Sequence, residues 1–172
     1  DLLALTLLVA PGEMGADAVE LDVRRTLDGV LVVHHNPDLP DGRVIAATAH
    51  GELPAAVPTL GAALDACAGM WVNVEIKNDP TEPDFDQADE IADHTMALLL
   101  ARDEHDRWLI SSFRIETIDR CRELADAAGA PIRTAWLVGP VPDDAVELLT
   151  ARGDEAQHPR VKLLARHVIE AF

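Results

Sequence analysis

Four runs rich in Val, Ile and Leu punctuate the chain: AVELDVRRT, MWVNVEIK, RWLISSF and PIRTAWLVG. Between them lie stretches with helical period: TLGAALDACA with Thr59 at its N-cap, DFDQADEIADHTMALLLARD, and RIETIDRCRELADAAG closed by Gly129. PDDAVELLTARG and RVKLLARHVIEAF extend the helical pattern, and the opening DLLALTLLVAPG reads as a buried helix rather than a signal peptide. Strands that alternate with helices need crossover connections, so the expected sheet is parallel and the class is α/β. No internal repeat or low-complexity linker divides the 172 residues, so residues 1–172 form one domain. A closed (β/α)₈ barrel takes ~250 residues. The sheet is therefore either open or part of a barrel that is incomplete in this chain.

Composition removes several classes of function. The formal charge of −17 argues against nucleic acid, whose phosphates require Lys and Arg. Aromatic residues make up 3% and Tyr is absent, which leaves little for stacking bases. No run reaches the ~18 apolar residues of a membrane span, so stable membrane insertion is not expected. Cys67 and Cys121 lie far apart in helical segments without metal-ligand spacing, and read as buried, reduced thiols of a cytoplasmic protein.

The chemistry concentrates in VELDVRRTLDGVLVVHHN, residues 19–36. Residues two apart in a strand share a face, so Glu20 and Asp22 project together. Asp28-Gly29 is a strong hairpin signal. A two-residue turn there would set Leu27 opposite Val30 and bring His35 directly across from Asp22, with His34 on the other face. Further on, Glu75 and Lys77 share a face opposite Val74 and Ile76. Glu20, Asp22 and Glu75 together offer three hard oxygen ligands, suited to one Mg²⁺ or Ca²⁺. Lys77 adds a positive charge for an anionic ligand, and His35 a group for proton transfer: the parts of a phosphoryl site.

GADAVELDVRRTLDGVLVVHHNPDL, VPTLGAALDAC, VNVEIKN and ISSF, in that order from Gly15 to Phe113, resemble the glycerophosphodiester phosphodiesterases. These are relatives of the phosphoinositide-specific phospholipases C. The resemblance implies a (β/α)₈ barrel of the TIM type with its site at the C-terminal strand ends. It implies hydrolysis of small-molecule glycerophosphodiesters to sn-glycerol 3-phosphate and an alcohol, with Mg²⁺ or Ca²⁺. Glu20, Asp22 and Glu75 fall on the family's metal-ligand positions, His35 on a catalytic histidine, and Lys77 on the lysine that contacts phosphate.

The chain also departs from the family pattern. The His-Arg-Gly strand and the Glu-Asn-Thr that opens the first helix are not found, and the usual His-Asp of the hairpin is His35-Asn36. The expectation is a partial barrel whose first strand and last strands lie outside this chain. Three readings follow: a phosphodiesterase of which this chain is a part, a divergent non-catalytic homologue that binds a phosphodiester or metal, and an α/β scaffold with coincidental acidic strands. The first accounts for most of the residues.

Overall fold

Alternation of apolar and polar residues fixes the sheet. The computed structural model describes residues 18–138 and the backbone of 156–159. Its strands are β1 (Ala18–Arg25), β2 (Leu31–Val33), β3 (Trp71–Ile76), β4 (Trp108–Ser112), β5 (Arg133–Val138) and β6 (Ala156–Pro159). They form one sheet in the order β2-β1-β3-β4-β5-β6. All neighbours run parallel except β2, which folds back antiparallel on β1. The parallel strands follow one another in sequence order with no reversal. A doubly wound sheet must reverse its strand order, so this arrangement is the arc of a singly wound barrel.

Among the described residues three α-helices follow β2, β3 and β4: α1 (Leu60–Ala66), α2 (Glu90–Leu100) and α3 (Ile115–Ala128). Leu21, Val23, Val72, Val74, Ile76 and Ile110 project from one face of the sheet. They pack with Leu60, Leu64, Ile91, Met96, Leu99 and Ile118 of the helices in the larger of two buried clusters. Pleating sends the alternate residues to the opposite face, where Glu20 and Asp22 of β1 lie beside Asn73 and Glu75 of β3. The core thus holds the outer face of the arc and leaves the polar residues on its inner face. Cys67 and Cys121 are buried and free, as their sequence context leads one to expect. No helix among the described residues is long and apolar enough to cross a membrane.

Thr59 caps α1 as expected, its hydroxyl accepting from the Ala62 amide at 3.2 Å. Gly129 closes α3 in the left-handed conformation at φ 62°. Three expectations change. The helix anticipated from Asp84 begins only at Glu90, because the preceding acidic segment bonds to other elements. Asp84 pairs with Arg24 and Asp86 with Arg25, while the amide of Asp86 donates to Asn78 Oδ1 at 2.9 Å. These tertiary partners outcompete the helix pattern. Strand β6, AQHP, has no β-branched or aromatic residue to announce it, and it forms by parallel pairing with Ala135–Val138. The helices expected at 1–12, 142–153 and 160–172 lie outside the described residues.

The third change concerns the hairpin. The amide of Gly29 donates to the Thr26 carbonyl at 3.0 Å and that of Thr26 to the Val30 carbonyl at 2.9 Å. Gly29 has φ 82°, whereas Asp28 is not in the left-handed region. The loop therefore has three residues, a type I turn followed by a left-handed glycine, instead of a two-residue type I′ turn. Asp28 stabilises it by accepting from the Thr26 hydroxyl at 2.6 Å and the His50 amide at 2.9 Å. The register moves by one residue: Val23 pairs with Val33, and the His34 amide donates to the Asp22 carbonyl at 2.9 Å. His34, rather than His35, lies directly across from Asp22. Gly29→Ala should lower unfolding stability by about 1–2 kcal/mol, the cost of a left-handed non-glycine residue. Urea titration measures it, and an unchanged midpoint would contradict this turn.

Candidate active site

The inner face of β1 and β3 carries an ion cluster. Parallel pairing sets Glu20 beside Asn73 and Asp22 beside Glu75. Lys77, just past the end of β3, reaches back between the strands. Its Nζ lies 3.0 Å from Asp22 Oδ1 and also donates to Glu75 Oε1. All three groups are nearly buried, with side-chain exposures of 11% for Asp22, 7% for Glu75 and 14% for Lys77. Glu20, at the exposed end, accepts from Asn73 Nδ2 at 3.3 Å. Asn73 is braced in turn by the Ser111 hydroxyl of β4, which donates to its Oδ1 at 2.9 Å.

Burial pushes the Glu75 carboxyl above its ordinary range. The ammonium of Lys77 opposes the shift, but the Asp22 charge and a Glu20 hydrogen bond reinforce it. Burial alone would lower Lys77, yet the bonds and charges of Glu75 and Asp22 outweigh it and hold the ammonium above its usual value. The lysine therefore stays charged and ties β1 to β3.

Lys77 also lines a cleft of about 230 Å³, together with His35, Ile76, Asn78, Asp79, Glu82 and Phe113. A neighbouring cavity of about 300 Å³ shares Asp79 and Phe113 and is also lined by Arg114, Glu116 and Trp136. His35 is exposed, and its Nδ1 lies 2.9 Å from Asn36 Oδ1. Where the Asn36 oxygen accepts this bond, Nδ1 donates and Nε2 keeps the free lone pair. His34 is buried, with Nδ1 2.8 Å from the Asn36 carbonyl.

Glu20, Asp22, Glu75 and Lys77 thus meet on one face, while His35 and Lys77 share one cleft. The one-residue shift removes direct opposition of His35 to Asp22 but leaves the histidine beside the cluster's lysine. Among the described residues, no three His, Cys, Asp or Glu side chains converge closely enough to hold a metal ion. The charge and chemistry of the donor set nevertheless fit one. Three carboxylates against one ammonium leave two negative charges uncompensated, and their oxygens are hard ligands. Lys77 now occupies the space between Asp22 and Glu75.

Sequence reading missed Arg24, Asn73, Asn78 and Ser111. Arg24 continues the series Glu20, Asp22 two residues on, and Asn73 precedes Glu75 by two. The strand period that located the carboxylates could have located both.

Comparison with known proteins bears on the fold. Residues 10–43 match the sequence profile of the glycerophosphoryl diester phosphodiesterase family, a stretch that holds Glu20, Asp22 and His35. No curated protein matches the chain. Among solved structures, a glycerophosphodiester phosphodiesterase from Parabacteroides distasonis superposes with a TM-score of 0.75 at 22% identity, over 93% of this chain and 67% of that one. A phosphodiesterase from Oleispira antarctica, solved with the product sn-glycerol-3-phosphate, gives 0.74 at 22% identity, over 98% and 72%. The glycerophosphodiester phosphodiesterase of Thermotoga maritima gives 0.66 at 24% identity, over 91% and 66%. At these identities the likeness establishes the fold, an incomplete (β/α)₈ barrel.

Two substitutions test the electrostatics. A carboxyl raised on folding lowers stability as pH rises from its unfolded value near 4.5 through its folded one. Glu75→Gln, in metal-free buffer, should therefore raise the melting temperature at pH 8 and not at pH 4. Lys77→Met leaves buried carboxylates unpaired and should cost about 3 kcal/mol or more. A less stable Glu75→Gln at pH 8 would contradict the account.

Proposed function

We propose that this chain, whose matching profile and fold both point to the glycerophosphoryl diester phosphodiesterase family, carries part of a site that hydrolyses glycerophosphodiesters to sn-glycerol 3-phosphate and an alcohol. The observation that carries this reading is Lys77, which joins the carboxylate cluster and the His35 cleft in one place. In it Glu20, Asp22 and Glu75 hold one divalent cation, Mg²⁺ or Ca²⁺. When bound, that ion supplies positive charge to the phosphodiester. Lys77, released from part of its pairing, contacts a phosphate oxygen. His35 exchanges a proton through Nε2 with the attacking or leaving oxygen. Asn36 fixes the imidazole in the tautomer this requires. The product would place the enzyme in glycerol and lipid metabolism, and the two free thiols agree with a cytoplasmic setting.

Asn36 also favours a second reading. An amide orients the ring of His35 without the negative charge that stabilises an imidazolium, as suits a homologue that binds a phosphodiester without turning it over. Assays of the full-length protein with glycerophosphocholine and glycerophosphoethanolamine separate the two. The first reading predicts metal-dependent release of sn-glycerol 3-phosphate, abolished by EDTA. His35→Ala should cut kcat by roughly 10²–10⁴-fold and leave the thermal stabilisation by metal intact. His34→Ala, at a buried position that does not line the cleft, should mainly cost stability. Metal-stabilised protein with no turnover would support the second reading, and an unchanged melting temperature at millimolar Mg²⁺ and Ca²⁺ would contradict both.

A further inference from the structure

Arg24 sits where a phosphate ligand would be sought, on the strand that carries Glu20 and Asp22 and beside the His35 cleft. Its bonding excludes that role. The residue is 1% exposed, and every nitrogen of its guanidinium is engaged. Nη1 donates to Asp84 Oδ2 at 2.6 Å and Glu82 Oε2 at 2.9 Å. Nη2 donates to Glu82 Oε1 at 3.3 Å and to the His35 carbonyl at 2.6 Å, and Nε donates to the same carbonyl at 3.1 Å. One guanidinium against two carboxylates carries no surplus positive charge to offer an anion.

These bonds join three pieces of chain. β1 supplies Arg24, the segment after β2 supplies the His35 carbonyl, and the loop after β3 supplies Glu82 and Asp84. His35 and Glu82 both line the cleft that Lys77 enters. His35 lies beyond the last paired residue of β2, where the ladder to β1 no longer fixes the chain. Two bonds from one rigid fork to its carbonyl replace that restraint, and Asn36 then sets the ring. Lysine cannot substitute, because a single ammonium lacks the planar fork that meets a carbonyl and two carboxylates together.

We propose that Arg24 is a positioning residue, one that holds His35 and the Glu82 wall of the cleft in a fixed relation to Lys77. The proposal rests on the proton-transfer role of His35. A misplacement near 1 Å can cost about 10²-fold in rate, so the effect belongs in kcat.

The test uses the full-length protein with glycerophosphocholine and divalent metal. Arg24→Lys should lower kcat about tenfold or more with KM within about threefold of the parent. In the His35→Ala background the same substitution should cause no further loss of the residual rate. The ¹⁵N signals of the His35 imidazole, a single set in the parent, should broaden or double in Arg24→Lys without any substrate. Parental kcat with unchanged imidazole signals, or an equal loss in the His35→Ala background, would overturn the proposal. If Arg24→Lys does not fold, Asp84→Asn carries the test. It removes one anchor outside the cleft lining and should give a smaller kcat loss that again vanishes without His35. Should His35→Ala keep parental turnover, the functional reading fails and takes the clamp with it. An inactive His35→Ala beside a fully active Arg24→Lys sinks the clamp alone.

Discussion

Lys77, shared between Asp22 of β1 and Glu75 of β3, is the interaction on which the inner face of this sheet depends. Parallel pairing forces the two carboxylates side by side. Without a cation between them, burial and mutual repulsion would oppose the register that the outer core requires. The lysine resolves that conflict locally, and the polar inner face and apolar outer face can then belong to the same strands. The arrangement stops short of neutrality. Glu75 remains raised by burial even with its ammonium partner, and Glu20 adds a further carboxylate at the exposed end. A site poised in this way has electrostatic room for a second positive charge.

A second charged cluster lies two residues along the same strand, and the division of labour between them follows from burial. Lys77 lines the cleft and pairs with two carboxylates, Asp22 and Glu75. Arg24 is itself enclosed, pairs with Glu82 and Asp84, and has no bond to spare. An ammonium is a compact point charge that two carboxylates can share from different directions. The planar fork stands where geometry needs to be held. Residues Asp84 to Asp89 give up the expected helical conformation for this arrangement. Asp89 adopts φ 55° and accepts from Asn78 and from the Thr117 hydroxyl, each at 2.6 Å, while also pairing with Arg114.

Much of this was legible in the sequence, because alternation is a local property. AVELDVRRT and MWVNVEIK show their inner and outer faces directly, and Thr59 and Gly129 mark helix ends through their own chemistry. What escaped depends on partners distant in the chain. Nothing in DFDQADE shows that its carboxylates answer Arg24, Arg25 and Asn78, and so the segment reads as helix. The hairpin misled for a subtler reason. Asp-Gly suits a two-residue turn, but the Thr26 hydroxyl and the His50 amide bind Asp28 into a three-residue one. The single-residue shift changed which histidine faces Asp22. It did not remove His35 from the cleft, since the chain leaves the ladder before reaching it.

We infer that Lys77 and the three carboxylates form one site that exchanges ion pairing within the protein for a divalent cation and a phosphate. A crystal structure of the full-length protein with Ca²⁺ and sn-glycerol 3-phosphate tests it most directly. The account predicts the cation on Glu20, Asp22 and Glu75, with Lys77 Nζ moved onto a phosphate oxygen and His35 beside it. Ligands bound elsewhere, with Lys77 still paired to both Asp22 and Glu75, would contradict it.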